Sequence, residues 1–311
     1  MTGMPGASWS GPIPPLSAGE QQSADRLRHH VEVLAGRIGE RNVGHPEALA
    51  AAAGYIRTAF SAAGYEVTAQ PFTSRGQTVE NLEVVVPGRR SPQEIIVAGA
   101  HYDSVAGSPG GNDNGSGVAA LLEIARLLAG KALPRTVRLV AFVNEEPPFF
   151  YSEEMGSTVY ATRAQERGEQ IQAMLSLETI GYYTDAPASQ RYPFPFRYFY
   201  PDTGNFIGFV GNLASRRLVR QALGAFRAST AFPSEGVAAP GWITGVHWSD
   251  HWSFWQAGYP AIMVTDTALF RYPYYHSRAD TPDKLDYAGL ARVTRGLVAV
   301  IRELAGAGSR Q

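Results

Sequence analysis

Apolar positions along the chain recur in two rhythms, one near 3.6 residues and one that is short and continuous. Residues 24–37 (ADRLRHHVEVLAGR) and 47–63 (EALAAAAGYIRTAFSAA) follow the helical interval, and Gly64 stands where a helix would end. Two short β-branched runs, 82–86 and 95–100, suit buried strands. Helical spacing returns at 115–128 (GSGVAALLEIARLL), and 137–143 (VRLVAFV) reads as a central strand. Further on, the pattern predicts a helix over 157–172, strands over 174–177 and 206–210, a helix over 215–228, a strand over 261–265 and a closing helix over 287–304. Strands alternating with helices predict a single-domain α/β/α sandwich around a mixed, largely parallel sheet. Two stretches follow neither rhythm. Residues 149–154 and 182–205 are crowded with Tyr, Phe and Pro, and long aromatic loops in a compact domain usually serve as walls or lids of a site.

Composition narrows this picture without changing it. The 311 residues carry 27 basic and 28 acidic side chains, a formal net charge of -1, so no basic face for nucleic acid or a membrane surface is expected. No apolar run approaches the roughly 20 residues of a membrane span. Residues 1–19 are rich in Gly, Pro and Ser, lack the pattern of a signal peptide, and read as a flexible arm before a catalytic domain at 20–311. The expected compartment is the cytoplasm, although a chain without cysteine suits export equally well. The lack of cysteine also means that any metal must sit on His, Asp or Glu.

The chemistry stands out at the ends of the strands, where open α/β sheets bind their ligands. After 95–100 come His101 and Asp103, then a glycine-rich loop leading to Asp113 at a helix start. After 137–143 come Glu145 and Glu146, after 174–177 comes Glu178, and the loop after 261–265 ends in Tyr275 and His276. Taken singly, each has an ordinary explanation, such as a helix cap or a solvated charge. Together they place acids on one rim, where they would repel unless a cation neutralised them. Two His and three carboxylates suit a pair of metal ions with one shared ligand, leaving one Glu for proton transfer. Glu145 and Glu146 are neighbours at the end of a strand, where successive side chains point in opposite directions, so one can face a metal and the other the reacting water.

The stretches GAHYDSVAGSPGGNDNGSGVAALLEIARLL (99–128), VRLVAFVNEE (137–146), LSLETIGYY (175–183), SDHWSFWQAGYPAIMVTDT (249–267) and YYHSRADTPDKL (274–285) resemble the bacterial leucyl-aminopeptidase type of co-catalytic dizinc peptidases. The wider superfamily of these peptidases also holds glutamate carboxypeptidases and glutaminyl cyclases. The resemblance extends over nearly everything after the N-terminal arm. It implies the zinc exopeptidase fold and two zinc ions per chain. It also implies removal of N-terminal residues from peptides through a metal-bridged water. By the same resemblance, His101 is a terminal ligand of one zinc, Asp113 the bridging carboxylate, Glu145 the general base and Glu146 the adjacent ligand. Glu178 and His276 fall together on the other zinc, and Asp103 orients His101. Tyr275 is either a donor to the oxyanion or a packing aromatic, and Phe149, Phe150 and Tyr151 are expected at the substrate entrance. The chain departs from the family in carrying Glu178 where Asp is more usual. It also has a longer segment after Glu146, and no accessory domain before the metal loops. Three other readings of the scaffold stay open. They are a carboxypeptidase or dipeptidase with Arg191, Arg197 or Arg271 as its basic pocket, a glutaminyl-cyclase-like acyltransferase, and a non-catalytic binding module.

Overall fold

The computed structural model describes residues 3–307, so the first two residues of the expected arm and residues 308–311 lie outside it. Its helices are α1 (Ala18–Val31), α2 (Pro46–Ala62), α3 (Gly115–Leu128), α4 (Gly156–Glu166), α5 (Arg216–Ser229), α6 (His251–Gln256) and α7 (Tyr287–Arg302). Its strands are β1 (Thr68–Ser74), β2 (Gln77–Val86), β3 (Gly88–His101), β4 (Leu133–Phe142), β5 (Gln170–Glu178), β6 (Ile207–Asn212), β7 (Ser234–Ala239) and β8 (Ala261–Thr265). The strands form one sheet in the order β1-β2-β4-β3-β5-β8-β6-β7. The pairs β4/β3, β3/β5, β5/β8 and β6/β7 run parallel, and the other three run antiparallel. This is the expected mixed, largely parallel sandwich.

Alternation along β3 shows how the layers are filled. Ile96, Ala98 and Ala100 face the larger core, which α1, α2, α3, α5 and α7 cover, while Ile95 and Val97 face a smaller core under α4 and α6. Each such fully buried branched side chain stabilises the fold by roughly 1.5–3 kcal/mol. Helix α3 is buried almost all round. Its start abuts the end of β5 because Gly117 has no Cβ; a Cβ there would lie 2.5 Å from the Leu177 carbonyl oxygen. Asn114 completes the joint. Its carbonyl oxygen accepts the N–H groups of Gly117 and Thr179, and its amide donates to Leu177 O at 2.8 Å.

Several boundaries differ from the sequence reading. The expected helix over 157–172 stops at Glu166, because Gly168 turns the chain at positive φ and residues 170–172 already belong to β5. Helix α1 starts earlier than expected, at a capping box between Ser17 and Glu20. The residues before it carry no helix or strand, but they are tied down: Arg227 donates to the carbonyls of Pro5 and Gly6, and Ser8 accepts the N–H of Ser234. No described helix is long and apolar enough to cross a membrane.

Candidate metal centre

Four neighbouring parallel strands, β4, β3, β5 and β8, end at one rim, and every ligand-type residue picked out from the sequence lies there. His101 ends β3. Gly99 pairs with Ser176 on β5, and two residues further along these parallel strands stand His101 and Glu178. The Nε2 of His101 lies 3.3 Å from Glu178 Oε2 and 3.4 Å from Asp113 Oδ1. On the other side, His276 Nε2 lies 3.1 Å from Asp113 Oδ2 and 3.2 Å from Glu146 Oε2. Each oxygen of Asp113 therefore serves a different histidine. The donors fall into two groups, His101–Asp113–Glu178 and Asp113–Glu146–His276, each with its atoms within 4.8 Å of one another.

This grouping corrects one expectation. Glu178 does not share a metal position with His276; it stands with His101, and Glu146 stands with His276. His101 and Glu178 stand at matching positions of the adjacent parallel strands β3 and β5, and their side chains meet there.

Glu145 belongs to neither group. Its Oε2 stands 3.8 Å from His101 Nε2. The two glutamates do diverge, but not through the pleat of a strand, since β4 has ended at Phe142. Asn144 adopts a positive φ of 60°, and the chain turns there. Asp103 then fixes the turn, accepting the N–H of Glu145 on Oδ1 and that of Glu146 on Oδ2, both at 3.1 Å. The same Oδ1 stands 3.4 Å from His101 Nδ1, so one carboxylate orients the histidine and both glutamates.

Other supporting residues were not singled out from the sequence. Asp280 accepts the N–H groups of Asn112 and Asp113, and Tyr272 donates to it at 2.6 Å. Arg41 is wholly buried and donates to the carbonyls of Tyr102, Pro109 and Gly110, folding the loop between His101 and Asp113. Ser249 donates to Glu178 Oε2 at 2.8 Å. Asp250, beside it, is fully buried with neither oxygen hydrogen-bonded, and burial first, then nearby acids, pushes its carboxyl up to about 7.

Two zinc ions per chain fit this donor set. The ligand atoms are the imidazole nitrogens and carboxylate oxygens that zinc accepts. The Nε2 of His101 and one oxygen of Asp113 are buried without a hydrogen-bond partner, which a cation would satisfy. Charge points the same way. Burial, then the neighbouring acids Glu178 and Glu146, holds Glu145 well above the ordinary carboxylate range against the pull of His101. Burial and the charge of Asp113 push Glu146 up to about 7. Burial alone would lower His276, but Asp113 and Glu146 outweigh it and raise the imidazole to about 10.

These shifts set a sign for stability. A raised folded-state pKa contributes stability that is complete below the unfolded value and lost as pH climbs through the folded one. For Glu146 that window runs from 4.5 to about 7, and for His276 from 6.5 to about 10. The metal-free chain is therefore expected to lose thermal stability as pH rises through this range. Zinc displaces the same protons, so its stabilisation is expected to be larger near pH 8 than near pH 5.5. Unfolding midpoints with zinc and with a chelator at the two pH values check this. An equal or larger zinc effect at the acid value would contradict it.

Beside Glu178 the rim opens into a pocket with about 800 Å³ of open space. Tyr192, Phe196 and Tyr200 of the long aromatic loop wall it, together with Trp248 and Phe270, and Tyr275 stands at the metal end. Tyr275 is stacked on His276 with ring centroids 3.9 Å apart, and burial and the four surrounding acids keep its phenol protonated. The aromatics after Glu146 do not line this pocket. Phe149 is buried under the guanidinium of Arg75, and Phe150 stacks on Tyr151. Tyr151 leans outward onto Trp252 and bonds to His247 Nδ1. This segment packs against His247 and against Trp252 of α6.

The chain is similar to several known proteins. An uncharacterized protein of Escherichia coli K12, YfbL, is 38% identical over 302 residues, covering 94% of this chain and 91% of that protein. A probable aminopeptidase of Saccharomyces cerevisiae, YDR415C, is 28% identical over 251 residues, which are 76% of this chain but 60% of the yeast protein. Among solved structures, the zinc aminopeptidase BSAP from Bacillus subtilis superposes with a TM-score of 0.72 at 16% identity, covering 90% of this chain and 94% of that one. Residues 81–301 match the pattern of peptidase family M28, with all the ligand-type residues inside the match, and the chain belongs to that family.

Proposed function

We propose that the chain is a zinc-dependent aminopeptidase that releases the N-terminal residue of peptides. The observation that carries this reading is the pair of donor groups sharing Asp113, with Glu145 left over and an apolar pocket opening directly beside them. Two zinc ions, held by His101, Asp113 and Glu178 and by Asp113, Glu146 and His276, would polarise the scissile carbonyl and acidify the attacking water. Glu145, outside both donor groups and beside them, takes the proton from that water and returns it to the leaving amine. The protonated phenol of Tyr275 donates to the oxyanion as the carbonyl carbon becomes tetrahedral. Asp103 keeps His101 and both glutamates in place.

The pocket favours an amino over a carboxyl terminus. Its lining includes two acids, Glu178 and Glu235, and no Lys or Arg. The three arginines that a carboxypeptidase would need are not in it. Arg271 is buried outside the pocket lining, with its Nε on Gln190 and its Nη1 on the Phe206 carbonyl, Arg197 bonds to the Tyr198 hydroxyl, and Arg191 is exposed. The aromatic walls favour an N-terminal side chain with a large apolar surface. Leucyl nitroanilide is therefore expected to be cleaved faster than aspartyl nitroanilide. The N-acetylated leucyl substrate is expected to be inert and N-terminal glutamine to remain uncyclised. Cleavage of N-blocked peptides from the carboxyl end, or cyclisation of glutaminyl peptides, would replace this reading.

A further inference from the structure

The pocket beside Glu178 runs across the sheet and ends at a second acid. Strand pairing sets Glu178 beside Thr265, Thr265 beside Gly208, and Gly208 beside Glu235. These four residues form one cross-strand row, so their side chains rise from the same face, and all four line the pocket. Three strand spacings separate Glu178 from Glu235, about 14 Å. Between the acids stand a threonine and a residue with no side chain. A Cβ on Gly208 would lie 3.2 Å from the Thr265 carbonyl oxygen, in the floor of this trough.

The carboxylate of Glu235 is not consumed by its neighbours. Arg227 approaches it only to 3.7 Å, beyond hydrogen-bond length. The guanidinium spends its donors elsewhere, on Ser234 Oγ at 3.2 Å, the Ser234 carbonyl at 2.5 Å, and the carbonyls of Pro5 and Gly6. Ser8 supplies one hydrogen bond, which leaves the carboxylate with spare acceptor sites. Burial pushes this carboxyl up against the pull of Arg227, and a cation delivered through the pocket would offset that burial.

We propose that the pocket selects an N-terminal lysine or arginine, with the aliphatic stem lying over Gly208 between the aromatic walls and the terminal cation received by Glu235. This assignment rests on the aminopeptidase reading, since it places the substrate's α-amine at the Glu178 end. The lengths agree. An extended lysine spans roughly 7–8 Å from its α-nitrogen to its terminal nitrogen. A charge-assisted hydrogen bond of about 2.8 Å at each end brings the reach to roughly 13 Å. Leucine and phenylalanine end short of Glu235.

The test compares lysyl nitroanilide with norleucyl nitroanilide, which keeps the stem and lacks the charge, on the zinc-loaded full chain. The wild-type chain is expected to have the higher kcat/KM on the lysyl substrate. Glu235→Gln is expected to lower the lysyl-to-norleucyl ratio by at least about tenfold, the scale of one lost hydrogen bond to a charged group. A wild-type preference for norleucyl overturns the proposal without recourse to any variant. So does a smaller change of the ratio in Glu235→Gln. Release of norleucine with no release of lysine overturns the proposal and leaves the aminopeptidase reading standing. Failure to release either residue removes the aminopeptidase reading, and this assignment with it.

Discussion

Glu145→Gln is expected to lower kcat by at least about 10²–10⁴-fold, the range that general acid–base catalysis supplies, while two zinc ions remain bound. The two halves of this expectation come from different observations. Metal retention follows from geometry, because Glu145 stands outside both donor groups. The loss of rate follows from position and charge. The carboxylate stands 3.8 Å from His101, faces the rim where the donor groups meet, and is held above its ordinary range by burial and by Glu178 and Glu146. A carboxylate within reach of the attacking water can accept its proton and return it to the leaving amine. Glutamine keeps the shape and one carbonyl oxygen but can do neither. The backbone N–H of residue 145 still reaches Asp103, so the turn that aims both side chains survives the substitution. Stopped assays at saturating leucyl substrate, paired with metal analysis of the same sample, check both halves. Full activity at two zinc ions per chain would remove Glu145 from the mechanism. Lost zinc would make it a ligand instead.

What the sequence showed and what it hid divide along physical lines. Helix α3 was legible to its ends, because its apolar interval is regular and a glycine pair opens it. Strand β8 was equally plain as five consecutive buried residues. Strand β1 went unread because TAQPFTS has no apolar alternation, and Pro71 is tolerated there only because the strand lies at the sheet edge. Strand β7, SEGVAA, takes its place from small residues packed against α5, and α6 is too short to show a period. The same division runs through the site. His101, Asp113, Glu145, Glu146, Glu178 and His276 were visible as ligand types at strand ends, since position along a strand is a one-dimensional property. Which of them share a metal was not visible, because that depends on β5 lying beside β3 in space. Arg41, Ser249 and Asp250 act through burial and contacts far apart in sequence, and no local pattern marks them. The aromatic loops were noticed as a class, but composition alone could not tell Tyr192, which walls the pocket, from Phe149, which packs under Arg75.

Asp113→Asn is expected to do more damage than any other single change at the rim, because Asp113 is the one side chain common to both donor groups. Its Oδ1 faces His101 and its Oδ2 faces His276. Against the opposing effect of burial, the two histidines hold its carboxyl well below the ordinary range. Asparagine retains one acceptor and turns a donor toward the second position, which removes the negative charge between the histidines and one of the two bridging oxygens. Zinc content is expected to fall at both positions together, with activity lost at least as completely as in Glu145→Gln. The support beneath the residue is unchanged, since the backbone N–H groups of 112 and 113 still reach Asp280, so a loss of zinc would reflect the missing ligand and not an unfolded loop. Two double variants then test the grouping itself. Glu146→Gln with His276→Ala empties one group and leaves His101, Asp113 and Glu178 intact, so one tightly held zinc is expected to remain. Glu178→Gln with His276→Ala takes one ligand from each group, so both positions are expected to weaken. Zinc titration of the two proteins separates these cases. If instead the first pair weakens both positions and the second spares one, the ligands are grouped as Glu178 with His276, and the arrangement described here is wrong.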